Sequence, residues 1–146
     1  MALLISKKFN ELTTTELYEI LKSRYAVFTE EQKIICLDED DMDYKALHCF
    51  FMENKKVTAY LRAFYDKQNP DTVKMGRVLT LVHNKGTGTD LVNQSISAIK
   101  EKMPCKKIHV DAQLTARNFY KKLGFAPTSG EYIEAGIPHI DMELFL

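Results

Sequence analysis

Apolar positions change their spacing several times along the chain, and each change marks a predicted element. Leu17, Ile20, Leu21, Tyr25 and Phe28 fall near one face of a helix. Thr13, followed by Glu16, has the pattern of a capping box at its start. That period breaks in "TEEQKIICLDEDDMDY". A period of two follows, in which Leu47, Cys49 and Phe51 alternate with His48, Phe50 and Met52, and "ENKK" reads as a turn. Val57, Ala59, Leu61 and Ala63 share one face of a second strand, with Thr58, Tyr60, Arg62 and Phe64 on the other. After "DKQNPD", Thr72 to Val82 reads as a third. Connections this short exclude parallel crossovers, so these strands are expected to form an antiparallel meander.

Helical spacing returns beyond Gly86 and Gly88, where Leu91, Val92, Ile96, Ile99 and Met103 make a stripe ended by Pro104. Ile108, Val110 and Ala112 then read as a strand. Strand, helix and strand in that order predict one local parallel pairing. "TARNFYKKL" reads as a short helix stopped by Gly124. Tyr132, Ile133, Ile137, Ile140, Met142 and Leu144, around Gly136 and Pro138, supply a final hairpin. The expected fold class is α/β of the mixed α+β kind: a central, largely antiparallel sheet with helices on its faces. A length of 146 residues suits a single domain over 1–146.

Composition narrows the function. Twenty basic residues balance twenty acidic ones, which argues against a general nucleic-acid or anionic-membrane binder. A local basic pocket for a phosphorylated small molecule stays compatible with that balance. No apolar run reaches transmembrane length, and Ala2 to Ile5 is too short for a secretory signal, so a cytoplasmic protein is expected. Cys36, Cys49 and Cys105 have no metal-ligand spacing; free thiols, with Cys49 buried, and no metal are predicted. The acidic run Asp38 to Asp41 with Asp43 reads as a solvated loop, or alternatively as a rim for a cationic substrate.

Two stretches carry candidate chemistry. "LTLVHNKGTGTDLV" runs from a strand through a glycine turn into a helix. It lacks the lysine of a P-loop and the third glycine of a dinucleotide fingerprint. It keeps the general anion-binding object, a glycine turn at a helix amino terminus, with Lys85, Thr87 and Thr89 beside it; a plain turn is the alternative. In "HVDAQLTARNFYKKLGF", Tyr120 reads either as a core tyrosine or as a proton-donating phenol at the inner end of a pocket. Gln113 stands at a strand-to-helix junction where an amide can position a ligand, and Asp111 is either a base or a strand-end residue.

Taken together, a strand, glycine turn and long helix followed by a strand and "QxxAxxxYxxxGF" resemble the GCN5-related N-acetyltransferase (GNAT) superfamily. "RYAVFTEEQ", His48 inside a strand, "GRV", "FYKKLGF" and "GIPHIDM" resemble its ElaA-like branch. The resemblance implies acetyl-CoA as co-substrate, bound where two neighbouring strands splay apart, and an amine acceptor. Leu79, Thr80 and Leu81 would pair with the pantetheine arm. His83, Asn84, Lys85, Gly86, Thr87, Gly88 and Thr89 would hold the pyrophosphate, and Gln113 would stand on the cofactor side. Tyr120 matches the family's general acid. His48 is the first choice of general base, with Glu31 and His139 as second choices. His83 and Asn84 depart from the family's usual Gln or Arg and Gly. The resemblance also allows a homodimer, and a non-catalytic acyl-CoA-binding or regulatory module is the alternative function.

Overall fold

The computed structural model describes residues 2–83 and 85–146. Eight strands form one sheet: β1 (Ile5–Lys8), β2 (Leu47–Glu53), β3 (Lys56–Tyr65), β4 (Thr72–Thr80), β5 (Lys107–Gln113), β6 (Ala126–Pro127), β7 (Tyr132–Glu134) and β8 (Ile137–Phe145). The order is β1-β2-β3-β4-β5-β8-β6, with β7 also on β8. The meander β2-β3-β4 is antiparallel and β4-β5 is the one parallel pair, as the connection lengths require. β1 is a strand of four residues whose partner is β2, and so short a run carries no readable period in the sequence.

Among the described residues three α-helices cover the sheet. α1 (Thr14–Arg24) starts at the expected capping box: Thr13 Oγ1 accepts from the Glu16 amide at 3.1 Å, and Glu16 accepts from the Thr13 amide at 2.8 Å. The helical period that runs to Phe28 does not stay α-helical throughout. From Tyr25 to Glu31 the chain widens into a π-helical turn, a form that often marks functional sites. α2 (Thr87–Lys102) follows the glycine turn, and α3 (Arg117–Lys122) ends before Gly124, whose φ of 101° suits a residue without a side chain. Among the described residues no helix is long and apolar enough to cross a membrane.

Strand alternation gives each face its own core. Leu47, Cys49, Phe51, Ala59, Leu61, Val110 and Ala112 pack with Leu91, Val92 and Ile99 of α2 and Tyr120 of α3. On the opposite face Phe50, Tyr60 and Leu79 pack with Ile20 of α1 and with Val27. α1 covers only part of that face, so the side chains there at the β4, β5 and β8 end border an opening.

Candidate active site

β4 leaves its neighbour part-way along. It pairs with β5 from Thr72 to Met75; beyond that, Gly76 to Thr80 have no partner in β5 and Asp111 to Gln113 none in β4 among the described residues. The cause is a bulge: Tyr60 opposes Leu79 and Arg62 opposes Gly76, so Leu61 alone faces Arg77 and Val78. Arg77 takes up the extra residue at φ 52°. A cleft of about 930 Å³ opens through the splay, large enough for a sizeable ligand. At one end lie Gly88 of α2 and Phe119 and Tyr120 of α3. At the other lie Phe64, Lys74, Asp111, Glu134 and His139, on the face that α1 leaves open.

The end near α2 is suited to an anion. Gly86 caps the helix with φ 75°, and among the described residues no side chain bonds to this start. Asp90 N–H donates to Gly86 O at 3.2 Å, so the amides of Thr87, Gly88 and Thr89 are the orphan donors of a helix start, with Lys85 next to the cap. Gly88 also allows close packing, since a Cβ there would stand 3.4 Å from the Phe119 ring. Leu81 N–H donates to Thr58 O at 2.9 Å and is therefore not available to a ligand. Strand alternation turns the backbone of Thr80 the other way, into the cleft, while the Leu79 side chain is buried on the α1 face. His83 Nε2 donates to Glu31 at 2.9 Å, and Asn84 lies outside the described residues. Gln113 Nε2 donates to Gln32 Oε1 at 2.8 Å, linking the end of β5 to the chain beyond the π-turn.

The four proton-transfer candidates separate clearly. Tyr120 is 6% exposed and borders the cleft, with its ring edge-to-face against Phe119 and Phe125. Burial pushes its phenol pKa up, so it stays protonated at neutral pH. Among the described residues its hydroxyl has no hydrogen-bond partner. His139 also borders the cleft; its Nδ1–H donates to Ile137 O at 2.7 Å, and its Nε2 is 3.7 Å from Glu134. A carbonyl only accepts, so in the neutral ring the free lone pair is on Nε2.

His48 needs correction as first choice of base. It is fully buried on the α1 face, its Nε2–H donates to Asp43 O at 2.9 Å, and Tyr60 donates to its Nδ1 at 2.7 Å. Burial also lowers its pKa, so it is a neutral core histidine with no nitrogen left for an amine. Glu31 is tied to His83 beside the glycine turn and, unlike His139 and Tyr120, does not itself line the cleft.

Only part of the acidic run is the solvated loop its composition suggests: Glu39 and Asp41 are exposed, whereas Asp38, Asp40 and Asp43 are held by arginines. Asp43 accepts from Arg24 at 2.8 Å and from Arg62 at 2.9 Å; Asp40 accepts from Arg62 at 2.6 and 2.8 Å; Asp38 accepts from Arg24 at 2.8 Å and Arg77 at 2.9 Å. Arg24 is fully buried, and burying an unpaired charge costs several kcal/mol. These three carboxylates thus supply counter-charges to Arg24, Arg62 and Arg77. The Arg62 guanidinium holds the Asp40 carboxyl down at about 2. Of the thiols, Cys49 is buried and its pKa is pushed up to about 12 by desolvation, which leaves it inert as a nucleophile.

Sequence reasoning missed Gln32, Arg62 and Glu134 in the cleft wall. One signal was available: Arg62 inside an apolar strand needs a counter-charge, and the acidic run lies about twenty residues upstream.

A family model described as an acetyltransferase (GNAT) domain matches residues 15–146. The chain belongs to the GNAT acetyltransferase family. Within that family it is 35% identical to a UPF0039 protein of Schizosaccharomyces pombe, over 97% of this chain and 96% of the relative. It is 32% identical to ElaA of Escherichia coli, over 91% and 90%. The crystal structure of Escherichia coli ElaA superposes with a TM-score of 0.91, covering 99% of both chains at 29% identity. An acyl-CoA N-acyltransferase from Pseudomonas aeruginosa gives 0.89 at 28% identity, covering 97% of this chain and 98% of that one. The mixed sheet flanked by helices is thus the GNAT fold, and the chain stands close to the ElaA branch.

Proposed function

We propose that this chain transfers an acetyl group from acetyl-CoA to a primary amine by direct attack. The observation that carries the reading is the splay, which joins in one cleft a helix start and a tyrosine hydroxyl that, among the described residues, have no side-chain cap and no hydrogen-bond partner, respectively. The residues fit the co-substrate: amides from Thr87 to Thr89 and Lys85 suit a pyrophosphate, and the backbone of Thr80 suits an extended amide-bearing arm. Gln113 stands on the same side. Bound there, acetyl-CoA supplies a thioester carbonyl open to attack by an amine.

The acceptor enters from the α1 face, beside Phe64, Asp111 and Glu134. His139 Nε2 takes the proton that the attacking amine loses, and Glu134 stabilises the imidazolium so formed. Tyr120 donates its proton to the departing sulfur, and solvent returns one to the phenolate. In sum one N–C bond forms, one C–S bond breaks, and the amine proton is exchanged for a thiol proton. Cys49 takes no part.

The test is calorimetry with acetyl-CoA, followed by coenzyme A release against pooled polyamines, amino acids, aminoglycosides and lysine peptides. Binding with release in at least one pool is expected. Binding without release across the panel would overturn the transfer and favour an acyl-CoA-binding module. Absence of binding would overturn both.

A further inference from the structure

The chain between α1 and β2 forms one wall of the acceptor end of the cleft, through Gln32, Ile34, Cys36, Asp38 and Asp40. Apart from the Gln32–Gln113 hydrogen bond to β5, its side-chain anchors to the sheet here are ionic. Asp38 is the pivot: its carboxylate accepts from Arg24 Nε at 2.8 Å and Arg77 Nε at 2.9 Å, and its backbone oxygen accepts from Nη2 of both arginines at 3.0 Å. Arg24 is the last residue of α1, and Arg77 is the bulge residue of β4. A single aspartate is therefore clamped between the helix that covers one face and the point where the sheet opens.

Arg77 differs from the other two arginines. The side chains of Arg24 and Arg62 are 0% and 3% exposed, whereas that of Arg77 is 29% exposed. Without Arg77, Asp38 would still have Arg24, so the buried charges do not require it. Its backbone favours glycine, because φ 52° is a region that side chains disfavour. An arginine at such a position, forked onto the wall of a cleft, points to function more than to packing.

We infer that Arg77 is a positioning residue for the amine acceptor. Its guanidinium holds Asp38, and with it residues 32–40, at the height over the sheet that the acceptor needs. Its backbone separately maintains the bulge that splays β4 from β5. The inference rests on the acetyltransferase reading above.

Glycine separates the two roles, since Arg77→Gly keeps the positive φ and removes the fork. With an amine that the wild type acetylates, the acceptor KM of Arg77→Gly rises about tenfold or more. Its acetyl-CoA Kd stays within about twofold of wild type. Hydrogen exchange of amides in 32–40 speeds up while α2 is unaffected. Arg77→Lys, which restores the charge without the planar fork, recovers only part of the KM. An unchanged acceptor KM in Arg77→Gly overturns the inference alone. So does an acetyl-CoA Kd that weakens in step with KM, because the bulge and not the side chain would then be acting. A wild type that acetylates none of the amines overturns the acetyltransferase reading, and the acceptor role of Arg77 with it.

Discussion

A histidine can take a proton from an amine only through a ring nitrogen that is not already engaged. His48 has none free: Asp43 O receives Nε2–H, and the Tyr60 hydroxyl fills the Nδ1 lone pair. His109 is engaged in the opposite sense, since both its nitrogens donate to carboxylates, Asp111 at 2.8 Å and Glu143 at 3.0 Å. The Asp111 hydrogen bond raises its pKa, and with a carboxylate against each nitrogen it has no open lone pair for an amine. His139 combines a fixed Nδ1–H with a place at the acceptor end of the cleft wall, whereas His83, also in the wall, is tied to Glu31 beside the glycine turn. His139→Gln is therefore expected to lower kcat by roughly 10²–10⁴-fold, and Tyr120→Phe by a similar factor. Neither change is expected to move the acetyl-CoA Kd by more than about twofold. Tyr120→Phe should also leave the melting temperature close to the wild-type value, because the hydroxyl has no hydrogen-bond partner to lose among the described residues. Wild-type kcat in either variant would remove that residue from the reaction.

The two long helices begin differently, and the difference divides stability from binding. α1 is closed by the Thr13–Glu16 box, whereas α2 begins at Gly86 with no side-chain cap among the described residues. Thr13→Ala should cost about 1 kcal/mol of unfolding free energy and leave acetyl-CoA binding unchanged. Gly86→Asp puts a carboxylate where a pyrophosphate is expected, and acetyl-CoA affinity should fall about tenfold or more, near 1.4 kcal/mol. Calorimetry on both variants decides it; undiminished affinity in Gly86→Asp would move the phosphate site elsewhere. These helices were legible in the sequence because a capping box and a glycine turn are local patterns. The same holds for the meander, where short loops dictate antiparallel pairing, and for the parallel β4-β5 pair. The bulge at Arg77 was not legible. It depends on which residue of β3 opposes it, and nothing in "KMGRVLT" states that register. His48 misled for a related reason: alternation gives the face on which a side chain lies but not what seals that face.

Across the whole molecule, the Arg24, Arg62 and Arg77 network joins α1, β3, β4 and the acidic segment, so its protonation state bears on the entire sheet. The sequence shows zero net charge, but it does not show that three of the acidic charges are neutralised where the sheet opens. That arrangement fixes the direction of the pH dependence. The folded pKa of Asp40 is held at about 2 by Arg62, below its ordinary value of 3.8, and that of Asp43 is also lowered. A carboxyl depressed in this way contributes its stability above the unfolded pKa and loses it as pH falls toward the folded one. His48, also depressed, begins to withdraw stability once pH drops below 6.5. His109, raised by Asp111, contributes fully below 6.5 and loses its share as pH climbs through its folded pKa, so it partly offsets His48 in mildly acidic solution. The steep loss should therefore fall between the ordinary carboxyl range, about 4, and the folded Asp40 value of about 2. Urea unfolding from neutral pH downward can isolate the Asp40 share. Asp40→Asn should be less stable than wild type at neutral pH, because the carboxylate forked by Arg62 is gone, and the two curves should converge as pH approaches 2. Parallel curves over that window would mean that the Asp40 ion pair does not set the acid limit of this fold.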